Sequence, residues 1–165
     1  MLVGSWRGQS PAELLISVGE WLEERHEFEA AARYYAAAAD LEDSNALAYF
    51  RWGKLLLKRR HFHEAATVLE RAAALAPDHA PTWYALAQSH FGAGDYQRAD
   101  AAALAALQND PNHSGAFLIR LRCAQLSGDA RALKALLSRL PKGLAAAKEV
   151  RQIADALGIT LPLED

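Results

Sequence analysis

Cysteine is nearly missing from this chain: Cys123 is the single one in 165 residues. A lone cysteine excludes an internal disulfide and any Cys-x-x-Cys metal or redox pair, which fits a reducing compartment. No apolar run approaches the roughly 18 residues that a membrane-spanning helix needs. Residues 1–10 also lack the basic start and apolar stretch of a secretory signal. The chain is therefore expected to be cytoplasmic, with no membrane insertion. Neither sign of charge dominates, since 18 Lys and Arg stand against 20 Asp and Glu for a net charge of −2. That balance argues against nucleic acid as an obligatory partner. Catalytic constellations are absent as well. His26-Glu27 and His63-Glu64 open like the zinc motif His-Glu-x-x-His, but Ala30 and Thr67 stand where the second histidine is required. Gly92-Ala93-Gly94 joins two expected helices, whereas a phosphate cradle needs a strand-to-helix turn. With no placeable nucleophile, acid–base pair or metal set, the chain is expected not to be an enzyme, to use no cofactor or metal, and to take no small-molecule substrate.

What the chain does have is a repeat. Gly19, Gly53 and Ala87 stand 34 residues apart, and so do Ala31, Ala65 and Ala99, and Ala38, Ala72 and Ala106. Where two helices cross closely, a long or β-branched side chain has no room, so each unit reads as a helix pair crossing at Gly and Ala contacts. The units run over 12–45, 46–79 and 80–113. One such pair cannot bury its apolar face alone, so the units must stack. First helices are expected near 12–25, 46–59 and 80–93, and second helices near 28–42, 62–76 and 96–109. Ser10-Pro11-Ala12-Glu13 has the hydroxyl, the first-turn proline and the carboxylate of a helix start. Phe28, Phe62 and Tyr96 each follow a turn, where a ring is expected to plug the gap between the two helices of its own unit. Pro77 and Pro111 close the second and third units, and Asp43 takes that place in the first. His79 and His113 share the last place of their units, which points to a turn or capping role.

These residues resemble the tetratricopeptide repeat family. The third unit matches its pattern at Trp83, Leu86, Ala87, Gly94, Asp95, Tyr96, Ala99, Ala106 and Pro111. The second matches at Trp52, Gly53, Phe62, Ala65, Leu69, Ala72 and Pro77. The first is weaker, with Gly19, Leu22, Phe28, Ala31, Tyr35 and Ala38. The resemblance implies an all-α fold, a right-handed α-α superhelix, over residues 12–113 after an N-terminal flank of 1–11. Residues 114–141 keep the length and the Gly128-Asp129 turn of a degenerate fourth pair. Residues 142–165 hold a capping helix, expected over 144–157, and a tail, with Leu144, Ala147, Val150, Ile153, Ala154 and Leu157 on one helical face.

The resemblance further implies that the first helices line a concave groove. One row would be Ile16, Phe50, Tyr84 and Leu118, the next Glu20, Lys54, Gln88 and Arg122, with Leu57 and Phe91 beyond. An exposed aromatic strip rimmed by charge suits a protein or peptide partner with apolar anchors. Relatives that grip a free C-terminal carboxylate use basic and amide side chains at places that here hold Ile16, Glu20, Arg51, Pro81 and Ala85. Acidic C-terminal tails are therefore expected to bind poorly. Two other functions fit the layout. The size and three tandem repeats are similar to the chaperones of type III secretion translocators. Alternatively, Trp6 and Trp21, with Leu2 and Val3, would leave an apolar patch at the N-terminal end and make a homodimer or larger scaffold.

Overall fold

The computed structural model describes residues 10–141 and 143–161, and among these there are nine helices and no strand. They are α1 (Pro11–Glu24), α2 (Phe28–Leu41), α3 (Ala46–Lys58), α4 (Phe62–Leu75), α5 (Ala80–Gly92), α6 (Tyr96–Asn109), α7 (Ser114–Leu126), α8 (Ala130–Leu137) and α9 (Lys148–Ala156). Trp6, Leu2 and Val3 lie outside the described residues.

Local chemistry sets the helix ends. Ser10 Oγ accepts from the Glu13 amide at 3.2 Å while Glu13 Oε2 accepts from the Ser10 amide at 2.8 Å, a complete capping box before α1. Asn45, Asp95, His113 and Asp129 each accept a backbone amide at the start of their helices. His113 does so through Nδ1, whereas His79 Nδ1 lies 2.7 Å from Thr82 Oγ1. Of these two histidines only His113 caps its helix through its side chain; His79 stands at the cap position of α5 and makes no such bond. Each turn inside a hairpin contains one residue in the left-handed region: His26, Arg60, Gly94 and Gly128. The carbonyl of Pro77 accepts from Trp83 Nε1 at 2.8 Å and from Asn109 Nδ2 at 3.1 Å. Asp43, in the equivalent place, instead accepts from the Tyr49 hydroxyl at 2.7 Å and pairs with Arg71 on α4 at 2.5 Å.

Consecutive helices pack as hairpins and the hairpins stack. Helix α1 touches α3, α3 touches α5, and α5 touches α7, while no comparable contact joins α2 to α4 or α4 to α6. The first helices are therefore the inner, closely spaced layer and the second helices fan outward. The result is an all-α, right-handed α-α superhelix. Its core runs the length of the stack in three clusters. Tyr35 and Leu55 anchor the first, Leu69, Leu86 and Ile119 the second, and Leu121, Leu137 and Val150 the third. The third joins α9 to α7 and α8 and closes the C-terminal end.

Three details differ from the sequence expectation. The glycines of the first helices lie directly against large residues. A Cβ on Gly19 would lie 2.5 Å from the Tyr35 ring, and one on Gly53 would lie 2.4 Å from Leu69 Cγ. Each absent side chain makes room for a large one that fills the hairpin. Phe62 does not stay within its own unit: a Cβ on Gly92, in the next unit, would lie 2.5 Å from its ring. Helix α9 starts at Lys148 rather than Leu144. Gly143 is left-handed and the Ala147 amide donates to the Leu144 carbonyl, so residues 144–147 form a turn that buries Leu144 and Ala145 before the helix begins.

Candidate functional site: the concave groove

The inner layer bounds a hollow of about 660 Å³. Leu57 from α3, Tyr84, Gln88 and Phe91 from α5, and Leu118 and Arg122 from α7 line it. Six of the ten groove positions expected from the sequence are thus brought together. Leu57, Tyr84, Phe91 and Leu118 are half-buried, not freely exposed, because their inner sides pack on the core. Such a wall presents apolar surface while holding each side chain in place.

The remaining four positions go elsewhere. Ile16 is 4% exposed within the N-terminal core, so it offers no groove surface. Glu20 lines a second, charged hollow of about 520 Å³ with Glu23, Glu24, His26, Arg51 and Lys58. There Glu20 pairs with Arg51 at 2.7 Å and Glu23 with Lys58 at 3.2 Å, which largely neutralises that end of the groove. Phe50 stands edge-on to His79, with centroids 5.0 Å apart, and Lys54 Nζ lies 5.4 Å from the centre of the Phe50 ring. Tyr84 meets His113 one unit later, with centroids 4.4 Å apart and the rings tilted at 44°. Phe50 and Tyr84 are therefore each propped by the histidine of the following inter-unit turn, whereas Phe91 lies 5.3 Å from the Tyr96 ring.

Sequence reasoning missed Arg60, Phe62 and Ile119 as lining residues. The available signal was glycine. A Cβ on Gly92 would strike Phe62, and one on Gly115 would come within 2.6 Å of the Tyr84 hydroxyl. These two glycines let rings from neighbouring units approach α5 and α7 closely. Arg122 is not free. Its Nε and NH2 groups grip both carboxylate oxygens of Glu149 on α9, and this fork holds its pKa above the ordinary arginine value.

Burial pushes the Cys123 thiol up to about 11, so it is not an activated nucleophile near neutrality. Tyr35 is also raised, by burial first and then by Glu23, whose carboxylate accepts its hydroxyl at 3.3 Å. Among the described residues, no group of three or more His, Cys, Asp or Glu converges as a metal site would require. Nor, among them, is any helix long and apolar enough to cross a membrane. Trp21 is 45% exposed with the Arg25 guanidinium 4.8 Å above its ring, while Trp6 lies outside the described residues.

Stacked hairpins with an inner groove define a helical-repeat solenoid protein. Residues 50–114 match the family model described as Tetratricopeptide repeat. Among solved structures the chain is similar to MamA 41-end from Desulfovibrio magneticus RS-1, at 20% identity, 88% of this chain, 76% of that one and a TM-score of 0.70. The first TPR of Spaghetti (RPAP3) bound to HSP90 peptide SRMEEVD is similar at 16% identity, with 71% and 93% of the two chains covered and a TM-score of 0.68. For the Arabidopsis OM64 TPR domain the values are 18% identity, 69% and 94% coverage and a TM-score of 0.65. No curated protein matches the sequence.

Proposed function

We propose that this chain is a non-enzymatic protein-interaction module whose concave groove holds an apolar segment of a partner protein. The observation that carries this reading is the hollow of about 660 Å³ in which Leu57, Tyr84, Phe91 and Leu118 form one half-buried wall. Concave apolar surface with a few polar groups at its edge is what fixes a peptide in place and direction. The Spaghetti domain, which shares the fold, holds an HSP90 peptide. A free acidic C-terminus is not the ligand favoured here, because Ile16 is buried and Glu20 and Arg51 already neutralise each other. A cytoplasmic setting and a chaperone-like hold on apolar segments belong to the same proposal.

The test is affinity capture with the wild type beside a Phe91→Ala, Leu118→Ala variant whose fold is verified by circular dichroism. A partner retained by the wild type and lost by the variant is the expected result. Capture that survives the double change overturns the groove reading. A second reading, self-association, rests on the exposed Trp21. It requires a dimer in light scattering that Trp21→Glu dissociates, and a monomer at all concentrations removes it.

A further inference from the structure

We propose that Arg60 and Phe62 form a carboxylate-recognition station at the edge of the groove, so that the partner segment carries an internal Asp or Glu beside its apolar anchor. The inference rests on the groove reading and adds the chemistry of the ligand. Arg60 occupies the left-handed place of its turn, with φ of 64°. The third and fourth hairpins put Gly94 and Gly128 there, and a Cβ on either would meet nothing within 4 Å. Glycine is the residue that this conformation favours. A side chain kept there at a conformational cost points to a use for it. The two turns that do carry a side chain at this place, His26 and Arg60, are those that line the two groove hollows. Gly94 and Gly128 line neither of them.

The guanidinium is held in a defined position. It lies 5.5 Å from the centre of the Phe62 ring, and that ring in turn abuts α5 at Gly92. An arginine resting on an aromatic face keeps its N–H edge available for a carboxylate, which it can bind with two hydrogen bonds. Three other basic groups around the groove are already paired. Arg51 pairs with Glu20, Lys58 with Glu23 and Arg122 with Glu149. Among the described residues no carboxylate lies within ion-pair distance of Arg60 or of Lys54, which rests on Phe50. Arg60 is thus the uncompensated cation of the apolar hollow, and an acidic group on the ligand is its missing partner.

The experiment is selection from a random peptide library whose 12-residue inserts are displayed internally, without a free carboxyl terminus, on wild type and on Arg60→Gly. Glycine suits the turn, so this variant keeps the fold. The expected outcome is enrichment of Asp or Glu next to Phe, Leu or Trp in the wild-type pool, with the acidic enrichment lost and the apolar enrichment kept in the variant. A selected capped peptide should bind Arg60→Gly roughly tenfold more weakly, the scale of one lost charge-assisted pair. Apolar enrichment without acid, or acid enrichment unchanged by Arg60→Gly, overturns the station and leaves the groove reading standing. Peptides that bind a Phe91→Ala, Leu118→Ala variant as tightly as wild type overturn the groove reading itself, as does a pool with no enrichment. Affinity that rises when residues 162–165 are removed assigns the station to the chain's own Glu164 and Asp165 and overturns the partner assignment.

Discussion

Gly53 of α3 and Leu69 of α4 meet so closely that a Cβ at position 53 would lie 2.4 Å from Leu69 Cγ. Leu69 is fully buried, so it has little room to move away. Alanine has the better helix propensity by up to about 1 kcal/mol, but overpacking a filled core costs about 1–3 kcal/mol. Gly53→Ala is therefore expected to lower stability in urea unfolding. Leu69→Ala removes the obstructing atoms, at the cost of a cavity. In the double variant the loss should be clearly smaller than the sum of the two single losses, because the residues share one space. Additive losses would show that the close approach is not what glycine serves here.

The left-handed turn residues give a second, independent test. Gly94 has φ of 83° and a Cβ there would touch nothing within 4 Å, so Gly94→Ala changes backbone strain without changing packing. The expected loss is about 1–2 kcal/mol. His26, at φ of 63°, carries the opposite burden. His26→Gly is expected to gain up to about 1 kcal/mol, offset in part by the edge-on contact of His26 with Phe28 at 5.6 Å. Thermal melts of both variants against wild type read the two signs. A Gly94→Ala protein as stable as wild type removes the strain argument.

The helix ends were legible because they are written in local chemistry. Ser10, Pro11 and Glu13 make the capping box that starts α1, and Gly94-Asp95 makes a left-handed turn followed by a side-chain cap. What lies across units was less legible. A period of 34 residues tells which positions are equivalent, but not which neighbour each one meets. The repeat places Phe62 in its own hairpin, yet its ring reaches Gly92 of the next. Ile16 shares a row with Phe50, Tyr84 and Leu118 but is buried among Ala12, Tyr35 and other core residues of the first hairpin. Equivalent sequence positions at the end and in the middle of a stack have different surroundings. The same holds for Arg122, whose partner Glu149 lies on a helix outside the repeat pattern.

His90 makes the stability of the stack depend on pH. It is buried on α5, with Nε2 3.7 Å from Glu70 Oε1 on α4. Burial, which penalises the charged ring, lowers its pKa; Glu70 and Asp95 pull upward and Arg98 adds to the lowering. The folded state therefore binds this proton less readily than the unfolded chain, whose histidine titrates near about 6.5. The contribution to stability is complete above that pH and is lost as pH falls from there through the lower folded value. Wild type should show a larger drop in Tm between about pH 7.5 and about pH 5.5 than His90→Gln, which has no ring proton to gain. The other histidines and the carboxylates contribute to both curves, so the difference between the two proteins isolates this residue. An equal drop in both would mean that the ring is protonated in the fold as easily as in water, with Glu70 compensating fully for burial.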